Sequence, residues 1–510
     1  MLAHAQVQVL LAHNQPPTYT KHVRTAETGK LAAMASGPFA VDAEITRAGH
    51  LRHVYTRTRR LVESLFHKKN WKAAINIVNP LESGDSCHGT WTPSSLINEP
   101  PWDMIAMCVD VFLSRFAQHQ FFFLDPTELR IAVRVVGSVH PHCDILSRGL
   151  LNAVFLWASR ISQNLFVESH YSPADLVART VSAIAGDTML IDSCRRTLQV
   201  IQAEVLLSLY YMEAGHFLQG SYHCAAATSL AFSIGLHQLG YPSYPGPFPP
   251  EILRHFHPMD TVNARSTELL NAFLSVVILN NYWVVSCGVP SSIPSGTTIS
   301  TPWPTSYQVT QLHSIAASTR NDVAGNSPLA LLANASTLFE CTIAFTALYR
   351  GYHHPAEFGA LDHHLEAFRG SLPPIHGVVD APSTQLCLVT HIFVNAALLQ
   401  LHVLHNVASS TAHAKCLSAS RRVAAILADT RLGDWEHADP VFGPLLAAFA
   451  EFLIAQLPLG TPSVRAYLRA ILSALQTLAP RSTLIEKCHT ATQQRYAAAQ
   501  VGPGRVFPQQ

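Results

Sequence analysis

Charge is what this sequence has least of. Only 13% of its 510 residues are charged, against about 25% in an ordinary soluble domain, while 48% are hydrophobic. A mainly disordered chain is excluded, because disorder needs high charge and low hydrophobicity. Neither sign is in excess: Lys+Arg is 34, Asp+Glu is 33 and the net charge is +1. No global field therefore draws a polyanion to the surface, which argues against a strongly basic nucleic-acid binder.

Cysteine pairs are absent too. The ten cysteines stand at 87, 108, 143, 194, 224, 287, 341, 387, 416 and 488, with no CxxC among them. Scattered in this way they read as reduced, mostly buried thiols of an intracellular protein. Strand signals are nearly absent. So are the P-loop, the GxSxG elbow, the HExxH helix and the kinase signatures. Carboxylates are sparse, and helical spacing nominates no facing pair for acid–base work. The expectation is a protein that is not an enzyme and has no catalytic residue, metal site or cofactor of its own.

The first residues lack a basic n-region, and His4 and Gln8 interrupt their short apolar run, so no secretory leader is expected. The mean hydropathy of +0.17 calls for a membrane check. Leu269–Cys287, Leu386–Leu404 and Val441–Leu459 approach spanning length. Asn280, Asn281, His391, Asn395 and Glu451 interrupt them, and polar groups are costly inside a bilayer. They read as buried helices of a soluble body, with no membrane as partner.

What the chain has is helical periodicity. Residues 1–45 show little pattern and read as a weakly ordered leader. Residues 46–78 contain a basic amphipathic helix in which Leu51, Val54, Thr58, Leu61 and Leu65 alternate by three and four. Arg57, Arg59, Arg60, Lys68 and Lys69 surround that stripe and form a candidate nuclear-import or dimerisation patch. A Pro/Gly/Ser linker follows at 79–101. Helical patterns then run from 103–118 to 483–499, with 146–164, 193–213, 217–234, 265–285, 384–406 and 441–456 among them. The fold expected is all-α, a large body of packed antiparallel helix pairs without a zinc-cluster domain.

The stretch 197–240 is the most informative. Leu198, Ile201, Val205, Leu209 and Met212 mark one helix face, and Leu206, Leu207, Tyr210 and Tyr211 fill much of the rest. A helix apolar all round is a buried one. Gly215 ends it, and a second helix follows whose Gly220, Ser221 and Ala225–Ala227 let a neighbour approach closely. Gly235 ends that one. The 28 histidines include near neighbours such as His216 and His223, but none has the spacing of a known metal site. His223 reads as a core histidine with a hydrogen-bond partner.

Five segments, in order, resemble the regulatory "middle homology" domain of fungal Zn(II)2Cys6 transcription factors, with particular likeness to basidiomycete members. They are FLSRFAQHQFFF (112–123), LLNAVFLWASRIS (150–162), LQVIQAEVLLSLYYMEAGHFLQGSYHCAAATSLAFSIGLH (198–237), LLNAFLSVVILNNYWVVSCGVPSSI (269–293) and ISTPWP (299–304). The signature positions are Trp157, Gln199, Gln202, Glu204, Gly215, Gly220, His223, Gly235, His237, Asn271, Trp283, Pro302 and Trp303, with structural roles expected for them. The resemblance implies a fungal transcription factor regulatory domain at 102–310, a divergent helical region at 311–500 and a tail at 501–510.

The resemblance further implies a nuclear regulator of transcription that pairs with itself or a related regulator and answers to a small effector. The family's DNA-binding module begins C-x2-C-x6-C around two zinc ions, and no such run occurs here. Zinc is expected only if a cluster lies in sequence upstream, and DNA is expected to be reached through that module or a partner. The competing reading is a cytoplasmic helical scaffold or small-molecule-binding protein.

Overall fold

The computed structural model describes residues 102–138, 146–162, 172–189, 193–239, 260–288, 327–348, 355–375, 381–403 and 410–501, with a few positions in 290–301. The basic patch at 57–69, Pro302 and Trp303 lie outside the described residues.

The described residues form 14 α-helices and no strand. In order they are α1 (Trp102–Phe116), α2 (Pro126–Ser138), α3 (Arg148–Ile161), α4 (Pro173–Met189), α5 (Cys194–Ala214), α6 (Phe217–Ser233), α7 (Asp260–Cys287) and α8 (Pro328–Leu348). Then come α9 (Pro355–Ser371), α10 (Ala381–Val403), α11 (Ser410–Asp429), α12 (Phe442–Gln456), α13 (Pro462–Leu478) and α14 (Thr483–Val501). Each coincides with a helix read from periodicity. The largest difference is at α7, which starts five residues before the 265 that its apolar pattern suggests.

Local chemistry sets the ends. Proline, whose missing N–H costs nothing in a first turn, opens α2, α4, α8, α9 and α13. Ser147 and Ser193 cap α3 and α5, their hydroxyls accepting from the backbone N–H of Leu150 and Arg196. Gly215 closes α5 at φ 73°. Its N–H donates to the Met212 carbonyl and that of His216 to the Tyr211 carbonyl, the paired bonds of a Schellman cap. An L side chain is strained at that φ. His216 therefore lies outside α6, and His216 and His223 do not share a helix face.

The connection of two residues turns α6 back along α5. Glu204 meets His223, and Ser208 meets Gly220. These pairings sum to nearly the same number, which is the register of an antiparallel pair. One apolar core then runs through the body, from Ile105 to Ile485. α7 lies against α5 and α6 on one side and α8 on the other. α10 joins α8 to α11 and α12, and α12 packs on α13 and α14.

Four helices are long and apolar enough to cross a membrane by length and composition: Thr267–Cys287, Pro328–Ala347, Pro382–Val403 and Phe442–Leu459. The second is not among the three stretches singled out above. In this structure most of each is covered by other helices of the chain, from 78% for the first to 56% for the last.

Candidate functional site

Trp157, Gln199, Gln202, Glu204, Gly215, Gly220, His223 and Trp283 converge on α5, whereas Gly235, His237 and Asn271 do not. A helix buried on every side must satisfy each polar group it carries, because a buried group without a partner costs about 1–3 kcal/mol. Trp157, on α3 and fully buried, donates its indole N–H to the Leu206 carbonyl at 2.9 Å. Gln202 ties α5 to the turn after α1. Its amide donates to the Phe121 carbonyl at 2.7 Å and accepts from the Phe123 N–H at 2.9 Å. Gln199 accepts from the Ser147 N–H at 2.7 Å, at the start of α3.

On the side facing α6, Glu204 Oε2 meets His223 Nδ1 at 2.6 Å, both side chains being 7% exposed. Tyr211 stacks on that imidazole at 5.6 Å. Trp283 of α7 donates its indole N–H to Ser208 Oγ at 2.8 Å, and Ser208 donates onward to the Gly220 carbonyl at 2.8 Å. The bare Cα of Gly220 is what lets the indole in.

At the end of α6 the His237 ring stacks on Phe232 at 4.5 Å, and burial pushes its pKa down. Thr301 is tied there as well. Its N–H donates to the His237 carbonyl at 3.1 Å, its hydroxyl donates to the Leu236 carbonyl, and it accepts from the Leu239 N–H. The start of the Thr-Pro-Trp-Pro segment is thereby joined to the Gly235 turn, where φ is 77°. Asn271 sits half-buried on α7. Farther along α7, Asn280 and Asn281 bond to each other, and on to Ser291, Ser292, Ser336 and Thr337. That network ties α7 to α8.

Three buried acids escaped the sequence reading. Glu213 of α5 takes Arg115 Nη2 at 2.5 Å and Arg160 Nε at 3.0 Å. The Arg115 guanidinium also lies 4.8 Å from the Trp157 ring centre, and that of Arg160 lies 5.4 Å from Tyr210. Asp187 of α4 accepts from Ser147 Oγ at 2.7 Å, from the Gly149 N–H at 2.6 Å, and from Arg196. Asp439 accepts from Gln120 at 2.5 Å, from the Tyr282 hydroxyl at 2.7 Å and from the Val441 N–H at 3.0 Å.

Burial pushes Asp439 up to about 6 despite these donors. Nearby, His119 is pushed down to about 3 and His437 to about 4, by burial first and the charge of Arg115 second. An acid in a helix buried on nearly every side had to find a cation or another donor, so Glu213 could have been flagged. Asp439 and Asp187 lie in segments without that signal.

This chemistry builds a scaffold. Burial raises the thiols, Cys108 to about 11 and Cys224 to about 12, which leaves them protonated at neutral pH. Among the described residues no three His, Cys, Asp or Glu side chains are grouped to hold a metal ion.

Residues 109–343 match the family model of the fungal specific transcription factor domain. That family model describes the middle homology region found in Zn2Cys6 transcription factors. No curated protein matches the chain.

Proposed function

For a chain that contains a fungal specific transcription factor domain, we propose that it regulates transcription in the nucleus through its helical body. In this reading the chain does not itself grip DNA. Its net charge is +1 and it holds no C-x2-C-x6-C run, so DNA is reached through a DNA-bound relative or through a zinc cluster encoded beyond these 510 residues. The partner is a second copy or a related regulator. No membrane takes part.

One observation carries this reading. Four of the segments that resemble the family interlock, through Trp157, Gln202, Ser208, Gly220 and Trp283, around one buried helix. The domain match covers the same residues.

The test is to follow the full chain in a fungal cell by tagged imaging and by crosslinking to chromatin. The proposal expects nuclear accumulation and recovery of crosslinked DNA. A chain that stays cytoplasmic and yields no DNA contradicts it and favours the scaffold reading. Loss of nuclear accumulation on neutralising Arg57, Arg59, Arg60, Lys68 and Lys69 would assign import to that patch.

A further inference from the structure

Two cations of α14 reach onto other helices. Lys487 stands over the end of α5: a Cβ built on Gly215 would meet its Nζ at 2.5 Å. The last carbonyls of a helix carry partial negative charge, so an ammonium is favoured there. About two turns on, Arg495 pairs with Glu451 of α12. The first contact falls in the segment that matches the family model and the second beyond it.

α14 runs beside α12 in the same direction. Gly443 of α12 meets its first turns, and Glu451 meets Arg495 farther along. A Cβ built on Gly443 would stand 3.1 Å from the Cα of Ile485 and 3.2 Å from Cys488 Sγ, so the two backbones lie close. Yet α14 brings little apolar surface to this contact. Its buried side chains are Leu484, Ile485 and Thr492, with Cys488 and Tyr496 half-buried and Ala497–Gln500 exposed. α12 buries ten of its fifteen residues and also packs on α10 and α13. α5 is enclosed by α3, α4, α6 and α7. The cost of opening follows the apolar contacts that must part, so α14 lifts off at less cost than either helix it grips.

We propose that α14 is a releasable strap: it undocks from α12, α13 and the end of α5 as one unit while the rest of the body stays folded, and Lys487 and Arg495 set how often it does so. Lifting it withdraws one cation from the end of α5 and another from Glu451 in the same step, which links the matched segment to the helices that follow it. The inference stands apart from the transcriptional reading, because hydrogen exchange measures it in the isolated protein.

The test is amide hydrogen exchange of the full chain, read by mass spectrometry on peptides from α5, α12 and α14. Amides from Glu486 to Tyr496 are expected to exchange at one common rate, at least about tenfold faster than those in the middle of α5 and α12. A rate that falls steadily from Val501 inward is the fraying of a chain end and overturns the proposal, as does protection equal to that of α12. Lys487→Gln and Arg495→Gln should each raise exchange along all of α14 by about two- to fivefold, the worth of a part-exposed ion pair, and leave the middle of α5 and α12 unchanged. Gly443→Ala, which crowds Ile485 from the α12 side, should also raise exchange in α14 alone, since alanine strengthens α12 itself. Effects confined to the substituted end, or shared by the middle of α5 and α12, contradict a strap that lifts as one unit.

Discussion

A Cβ built on Gly220 would stand 2.3 Å from Cζ2 of Trp283. No side chain fits between α6 and the indole, so the smallest residue on one helix and the largest on the other form a single joint. Ser208 completes it by taking the indole N–H.

Gly220→Ala is therefore expected to destabilise the protein even though alanine is the better helix former. Trp283 is 2% exposed and hydrogen-bonded, so it cannot swing out freely. The expected cost is about 1–3 kcal/mol, the usual penalty for overpacking. Urea denaturation of the two proteins, followed by circular dichroism, measures it. An alanine variant as stable as the parent would show that the joint is loose.

Glu213 neutralises two guanidiniums that differ in exposure: the Arg115 side chain is 7% exposed and that of Arg160 29%. Removing the acid strands a buried cation, which costs about 3–5 kcal/mol. Removing Arg160 leaves Glu213 paired with Arg115 and gives up only a partly solvated contact. Glu213→Ala should thus lower the denaturation midpoint clearly more than Arg160→Ala. The reverse order would place the pair in solvent.

Asp439 gives a pH dependence of known sign. Its folded pKa, about 6, lies above the ordinary 3.8, so the folded state binds the proton more tightly than the unfolded one. The resulting stabilisation is complete below about pH 4 and is lost as pH rises through about 6. Comparison with Asp439→Asn cancels the other titrations. The stability of the parent relative to the variant should rise on acidification from pH 7 to pH 4, by on the order of 2–3 kcal/mol. A flat difference, or one that falls, contradicts the burial of this carboxylate.

The matched segment stops at residue 343, but the contacts do not. Asp439 bonds to Gln120 and Tyr282, and Phe393 stacks on Tyr282 at 5.6 Å. A chain cut after residue 343 loses these partners along with α10, which covers α8. It is expected to lose cooperative thermal unfolding. A fragment 102–343 that melts cooperatively at the temperature of the full chain would make the C-terminal helices a separate unit.

Most of the fold was legible because its signals are local. Period-3.6 apolar patterns, first-turn prolines and Gly215 each act within one helix or its end, and the 14 helices follow them. The α5–α6 pair was also readable, since a two-residue link leaves few alternatives to an antiparallel return. The partners were not. Nothing near Trp283 in sequence points to Ser208, and nothing near Asp439 points to Gln120, 319 residues away. Those pairings come from how α7 and α12 cross the core, which periodicity does not encode.

The most direct test of the central claim is a reporter assay. The full chain is fused to a foreign DNA-binding domain and placed upstream of a reporter gene in a fungal host, with the DNA-binding domain alone as reference. If the helical body regulates transcription, the fusion shifts reporter output up or down, and a fusion carrying Gly220→Ala and Glu213→Ala together loses the shift. A fusion that reaches the nucleus, occupies its sites and leaves output at the reference level contradicts the account.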